Sequence, residues 1–282
     1  YRTARSGEGV RGSVFGEPRD IQPRDRSTVR AWSLGGMFAP HAEDSEAWPY
    51  GSLYFWEHRD DSLLRAVIAG AYNDVLWSPD STWLFSLTSY TPPWSSSELT
   101  DGEVTDAEKV QWGYVRLGIG AGCRSRIGTQ QDNLAQFAIA LEPGALWFGR
   151  ADDTAAAFAL PDSTFEWRVH AYGRRDELER NLLELPHRGT ALGADLVYGN
   201  RADWDDWGLA GVETHSGSSG RDYVQASAYA FLIGDVPFVR DDRWRAHASL
   251  HAGIGDSTDR FSAMRIGGGP DLRGEEWDST AR

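Results

Sequence analysis

The chain has 282 residues and a formal net charge of −14, with Lys109 as its one lysine. Such acidity excludes nonspecific nucleic-acid binding, because phosphate contacts need a basic surface, and the single cysteine, Cys123, excludes an internal disulfide. Mean hydropathy is −0.49 and no apolar run reaches the roughly 18 residues of a membrane helix. A membrane barrel stays open, since its strands are apolar on one face only.

Residues 1–29 are polar and rich in Arg, Gly and Pro, and read as an irregular N-terminal arm without the apolar core of a signal peptide. From residue 30 onward, short segments alternate apolar and polar positions between turn residues, the pattern of strands with one greasy face. The alternation predicts strands at 30–40, 50–58, 63–74, 83–91, 111–123, 133–141, 165–173, 188–199, 206–214, 222–233 and 243–255, eleven in all. Asn200–Trp204 and Asp235–Val239 read as compact turns, and 92–110, 174–187 and 256–275 as long polar loops. Asp176–Leu185 has the composition of one short helical turn.

The face opposite the apolar one indicates which solvent each face meets. At 165–172, Phe165, Trp167, Val169 and Ala171 alternate with Glu166, Arg168, His170 and Tyr172. At 244–254, Trp244, Ala246, Ala248, Leu250, Ala252 and Ile254 alternate with Arg245, His247, Ser249 and His251. A sandwich turning its polar face to bulk water would favour Lys and Glu there. Arg, His and Tyr suit a packed polar lumen, which makes Glu166, Arg168, His170, Arg245, His247 and His251 candidate lumen-facing residues. Trp32, Trp56, Trp112, Trp167, Trp204, Trp207 and Trp244 are candidates for the aromatic belts at the two membrane interfaces. The expected fold is therefore an all-β, transmembrane antiparallel barrel, with a soluble all-β domain as the competing reading.

The segment Arg265–Gly274 (RIGGGPDLRG) resembles the signature of the bacterial surface-antigen (BamA/TamA-like) superfamily of outer-membrane proteins. In that signature a glycine pair precedes an aliphatic–Arg–Gly–aromatic tetrad on a loop that folds back into the barrel. Gly267 and Gly268 stand for the pair, and Leu272, Arg273 and Gly274 match the first three places of the tetrad; Glu275 departs from the aromatic fourth. Leu185–Gly199 (LPHRGTALGADLVYG) resembles the Pro-x-x-Gly opening of a strand in the same superfamily. The resemblance implies a barrel of sixteen strands when complete, about eleven of them within 30–282, and a signature loop at 256–282. It also implies an outer-membrane location, and a role in outer-membrane protein assembly or protein translocation. Implied partners are the lipid bilayer, lipopolysaccharide, client outer-membrane proteins, and periplasmic or lipoprotein subunits. Arg273 would pin the loop inside the lumen through its rigid five-donor guanidinium, so Arg273→Ala is expected to destabilise the barrel and Arg260→Ala to do little.

Chemistry is thinly signalled. The seven histidines include no HExxH pair or His/Cys cluster at metal spacing, so no metal or other cofactor is expected. Ser216–Gly220 lacks the strand–turn–helix context of a nucleophile elbow. The acidic runs Asp203, Asp205, Asp206 and Asp241–Asp242 suit solvated turns or divalent-cation contacts. No catalytic constellation emerges and no enzymatic activity is expected. A passive porin-like or adhesin-like barrel and a soluble glycan-binding domain remain as alternative functions.

Overall fold

In the computed structural model, the described residues are 10–14, 17–21, 28–39, 46–59, 61–92, 95–100, 103–127, 133–179, 188–209, 213–217, 220–236, 245–262, 265–266 and 279–280. They contain strands and no helix. Eleven strands form one antiparallel sheet in hairpin order: β1 (Thr28–Ala39), β2 (Glu46–His58), β3 (Leu63–Ile68), β4 (Tyr72–Ser78), β5 (Trp83–Tyr90), β6 (Glu103–Arg126), β7 (Leu134–Arg150), β8 (Thr164–Asp176), β9 (Gly189–Arg201), β10 (Asp222–Asp235) and β11 (Arg245–Asp256). Ser96–Thr100 pairs with the start of β6, which projects past its neighbours. Val10–Val14 and Glu17–Ile21 form a separate hairpin within the N-terminal arm.

The count of eleven agrees with the sequence, but two of its members differ. The stretch 63–74 is not one strand. It breaks at Gly70, whose φ of +74° only glycine adopts without strain, and continues as the β3–β4 hairpin. The stretch 206–214 is not in the sheet. Trp207–Leu209 and Glu213–His215 join Phe158–Ala159 in a small three-stranded sheet built from loops. Asn200–Trp204 is likewise not a compact turn, because it opens the long connection 202–221 that carries those strands. At the next turn, Asp80 accepts hydrogen bonds from the backbone N–H groups of Trp83 (2.9 Å) and Thr82 (2.7 Å), which hold its carboxyl below the usual carboxylate range.

Strand alternation sorts the side chains by face, because successive residues point to opposite sides of the sheet. One face of β5–β11 carries Trp83, Phe85, Leu87, Val115, Leu117, Ile119, Phe137, Ile139, Leu141, Phe165, Val169, Leu192, Leu196, Val224, Leu232, Leu250 and Ile254, all exposed. Where these strands overlap, no described side chain on this face is charged. Charge returns only at strand ends (Arg175, Asp222 and Asp256) and on the projecting part of β6 (Lys109). The other face carries Arg116, Glu142, Glu166, Arg168, His170, Asp195, Arg201 and Tyr223, buried or half-buried.

The sheet is curled with the polar face inside. Arg260, four residues beyond β11, donates to the backbone oxygen of Glu108 on β6 at 3.0 Å. Register places the end of β11 level with Ile119 of β6, so on a flat sheet it would lie about 24 Å from Glu108 across five strand steps and about 37 Å further along β6, well beyond the reach of four extended residues, at most about 14 Å, and one arginine side chain. Curvature makes up the difference. Glycines on the concave face permit close packing: a Cβ on Gly118, Gly120 or Gly122 of β6 would lie 2.1–2.5 Å from atoms of Ser86, Leu84 or the Phe137 carbonyl.

Candidate functional site: the polar face and its return turn

Two ionic groups occupy the concave face. In the first, Glu166 on β8 accepts from Arg116 Nε and Nη2 at 3.0 and 2.8 Å, from Tyr223 Oη at 2.9 Å and from Arg201 Nε at 3.4 Å. Glu166 and Arg201 are 1% and 0% exposed, so neither charge is stabilised by water. Such a pair persists only when its remaining donors and acceptors are met. Arg116 and Tyr223 reach Glu166 across an intervening strand, and they do so from an inward-curved surface.

In the second group, His170 lies between two carboxylates, with Nδ1 2.9 Å from Glu142 Oε1 and Nε2 2.9 Å from Asp195 Oδ1. A carboxylate only accepts, so both contacts are hydrogen bonds in the imidazolium form. Arg168 lies 3.2 Å from Glu142 and Arg174 lies 3.6 Å from Asp195. Among the described residues no three His, Cys, Asp or Glu side chains converge on a point where a metal ion could sit.

One end of the concave face is filled by aromatic rings. Trp112 of β6, Phe148 of β7, Phe158, Trp204, Trp207 and Phe261 form one cluster with Val110. Phe261 is its centre, with ring centroids 4.7 Å from Phe148, 5.2 Å from Trp207, 5.5 Å from Trp112 and 6.1 Å from Trp204. The ring is carried there by the turn Asp259–Ser262, which follows β11 and doubles back over the polar face. Asp259 Oδ1 accepts from the backbone N–H groups of Phe261 and Ser262, both at 3.0 Å, and from Ser262 Oγ at 2.8 Å. Its Oδ2 takes Arg201 Nη1 at 2.6 Å, and Nη1 also bonds the Gly220 carbonyl at 2.9 Å. Gly220 has φ +82°, and a Cβ there would lie 2.6 Å from Asp259 Oδ2. The Arg201 guanidinium also stacks over Trp204 at 4.1 Å. Gln225 donates to the Ser262 carbonyl.

The sequence candidates fall into three groups. Glu166, Arg168 and His170 lie together on the concave face. His251 shares that face, stacked on Tyr229 with ring centroids 6.0 Å apart. Arg245 and His247 pair through their backbones with Asp235 and Ile233; their side chains lie outside the described residues. Gly267, Gly268, Leu272, Arg273 and Gly274, the proposed loop anchor, also lie outside them. Three of the belt tryptophans are corrected: Trp112, Trp204 and Trp207 are buried in the concave cluster, because even-numbered positions of β6 point inward and the other two sit on the returning connection 202–221. Arg260 is no bystander either. It is 5% exposed, bonded to Glu108 and stacked over Phe261 at 5.4 Å.

Sequence reasoning missed Arg201, Asp259, Phe261 and Tyr223. Arg201 was within reach, since extending the alternation of 188–199 by one step places it on the polar face, and Tyr223 already lies on the polar face of the strand read at 222–233 without having been singled out. Asp259 and Phe261 gave no signal, since they lie in a loop with no period to read.

No protein-family model matches the chain, and no curated protein and no solved structure matches it.

Proposed function

We propose that this chain forms the wall of an outer-membrane β-barrel of the surface-antigen type, which inserts or translocates other proteins. The observation that carries the membrane half of the reading is the distribution of charge. The exposed face is free of it across the shared span of β5–β11, while the other face carries the ionic groups, which are buried or half-buried where they pair. In water this arrangement is inverted, because exposed apolar patches of that breadth are rare on soluble domains. In a bilayer it is the stable one.

Aromatic residues add support. Trp77, Trp83, Phe85 and Phe137 lie towards one end of the exposed face, and Trp147, Phe165, Trp167 and Tyr198 towards the other. Phe137 and Trp147 lie ten residues apart on β7, which is about 34 Å at about 3.4 Å per residue. At the tilt of about 40° usual for such strands this becomes about 26 Å, close to the roughly 25 Å apolar band of a barrel.

The protein-handling half rests on the resemblance at Gly267–Gly274 and on the filled interior. A passive porin keeps an aqueous channel; here ion pairs cross the concave face and an aromatic cluster fills one end of it. Lipid and lipopolysaccharide are the surrounding partners and client outer-membrane proteins the transient ones. Pairing an incoming strand is hydrogen-bond chemistry and needs no cofactor.

Cys123 supplies the test. It is the chain's only cysteine, exposed on the apolar face and paired in register with Phe137. Its pairing with Phe137 puts it at the edge of the band, so the thiol is moved to the middle: in lipid vesicles a lipophilic maleimide should modify C123S/L117C at least about tenfold faster than a charged, water-soluble one, because only the former enters the band. Equal rates, in a chain that stays soluble without detergent, would reject the membrane reading. The protein-handling role is checked separately, by whether vesicles bearing the chain speed the folding of a second outer-membrane protein.

A further inference from the structure

We infer that the concave face holds a receptor for a turn-forming carboxylate–x–aryl peptide segment, and that Asp259–Ser262 is its internal occupant. The inference rests on packing within the concave face and holds whichever solvent covers the opposite one. Every group that receives the turn belongs to a distant part of the chain. Arg201 and the Gly220 carbonyl frame the carboxylate position, with Arg201 itself fixed by Glu166 and Trp204. Phe148, Trp112, Trp204 and Trp207 wall the aryl position. Gln225 takes the carbonyl that follows it.

The wall is built to stand without the turn. Arg201 is held from three sides by residues outside 259–262, and the cluster keeps ring contacts of its own, Trp204 with Phe148 at 5.6 Å and with Trp207 at 6.5 Å. The turn is likewise pre-shaped, because Asp259 and Ser262 bond each other through both backbone and side chain. A pre-shaped ligand on a pre-shaped wall loses little ordering entropy on docking. A segment of the same chemistry from another chain meets the same donors and rings, and competes with an occupant whose effective concentration is in the millimolar range, about that of a short tether.

The experiment vacates the receptor and refills it in trans. D259S/F261S, refolded in detergent, is titrated with a peptide spanning 258–263 (Thr-Asp-Arg-Phe-Ser-Ala), with its Asp→Asn form and with a scrambled order. The native peptide is expected to bind at least about tenfold more tightly than either control, the difference expected of a charge-assisted pair, and R201Q added to the variant should erase that preference. A folded variant that binds all three peptides alike, or none, overturns the inference. Should the variant fail to fold, the wild-type chain decides. With native peptide well above the millimolar range of the tether, amide exchange at Phe261 and Ser262 should rise severalfold over that with the scrambled peptide; unchanged exchange overturns the inference equally.

Discussion

Arg201 joins three parts of the molecule: its guanidinium bonds Glu166 on β8, Asp259 on the return turn and the Gly220 carbonyl. Removing one member of a fully buried ion group leaves its partners charged and unpaired, at a cost of about 3–5 kcal/mol. Arg201→Ala should therefore lower the unfolding midpoint in urea by that equivalent, whereas Arg175→Ala, at an exposed strand end, should change it little. Arg260→Ala, expected from sequence to be silent, should destabilise instead, because it empties a buried site on Glu108. At this scale the sequence was legible where alternation reached: Glu166, Arg168 and His170 were placed on one polar face, and they share it. The partnership of Arg201 with Asp259, fifty-eight positions apart, was not legible, because it depends on how far the sheet curls, and no local pattern encodes curvature.

Strands β9 and β10 show how glycine and tyrosine divide one face between them. In register, Tyr223 lies opposite Gly199 and Tyr229 opposite Gly193, and a Cβ on either glycine would lie 2.2 Å from the ring that covers it. Each ring lies over bare backbone, which is how an aromatic compensates a glycine within a sheet. For Tyr223 that posture also brings its hydroxyl to Glu166. Gly199→Ala should lift the ring, break that bond and cost about 1–3 kcal/mol, the range for overpacking a filled site. Gly234→Ala, with nothing within 4 Å of the added carbon, is the matched control and should be neutral in the same denaturation series. Most sheet strands were readable from period-2 patterning, and their total of eleven survived two offsetting errors, but Val10–Val14 and Glu17–Ile21 lie in a stretch read as irregular, and Ser96–Thr100 and the start of β6 in one read as a loop. The β3–β4 turn was missed because a single glycine within an alternating run looks the same whether the strand passes through it or folds back. The strand at 206–214 was over-read because Trp207 and Leu209 alternate on a loop as they would on a sheet.

For the molecule as a whole, the two readings of the exposed face predict opposite results for one substitution. Leu117 is 57% exposed on β6, between Val115 and Ile119. In a bilayer Leu117→Arg should cost about 2–4 kcal/mol near the midplane. On a water-facing sheet it should cost nothing and raise solubility. Refolding yield into vesicles, measured beside yield in plain buffer, separates the two. The all-β, antiparallel class was legible at this scale, since strands and their two faces follow from alternation. Curvature and the filled end were not, since they arise from contacts between distant loops. The strict alternation has a further consequence. Along most of the strands oily side chains alternate with polar or small ones, so the extended polymer is no greasier than an ordinary hydrophilic protein, as its mean hydropathy of −0.49 records. The oily surface comes into being only when neighbouring strands zip together. Until then the polypeptide carries no long sticky segment, and its apolar surface forms in the same act that gives it a shape.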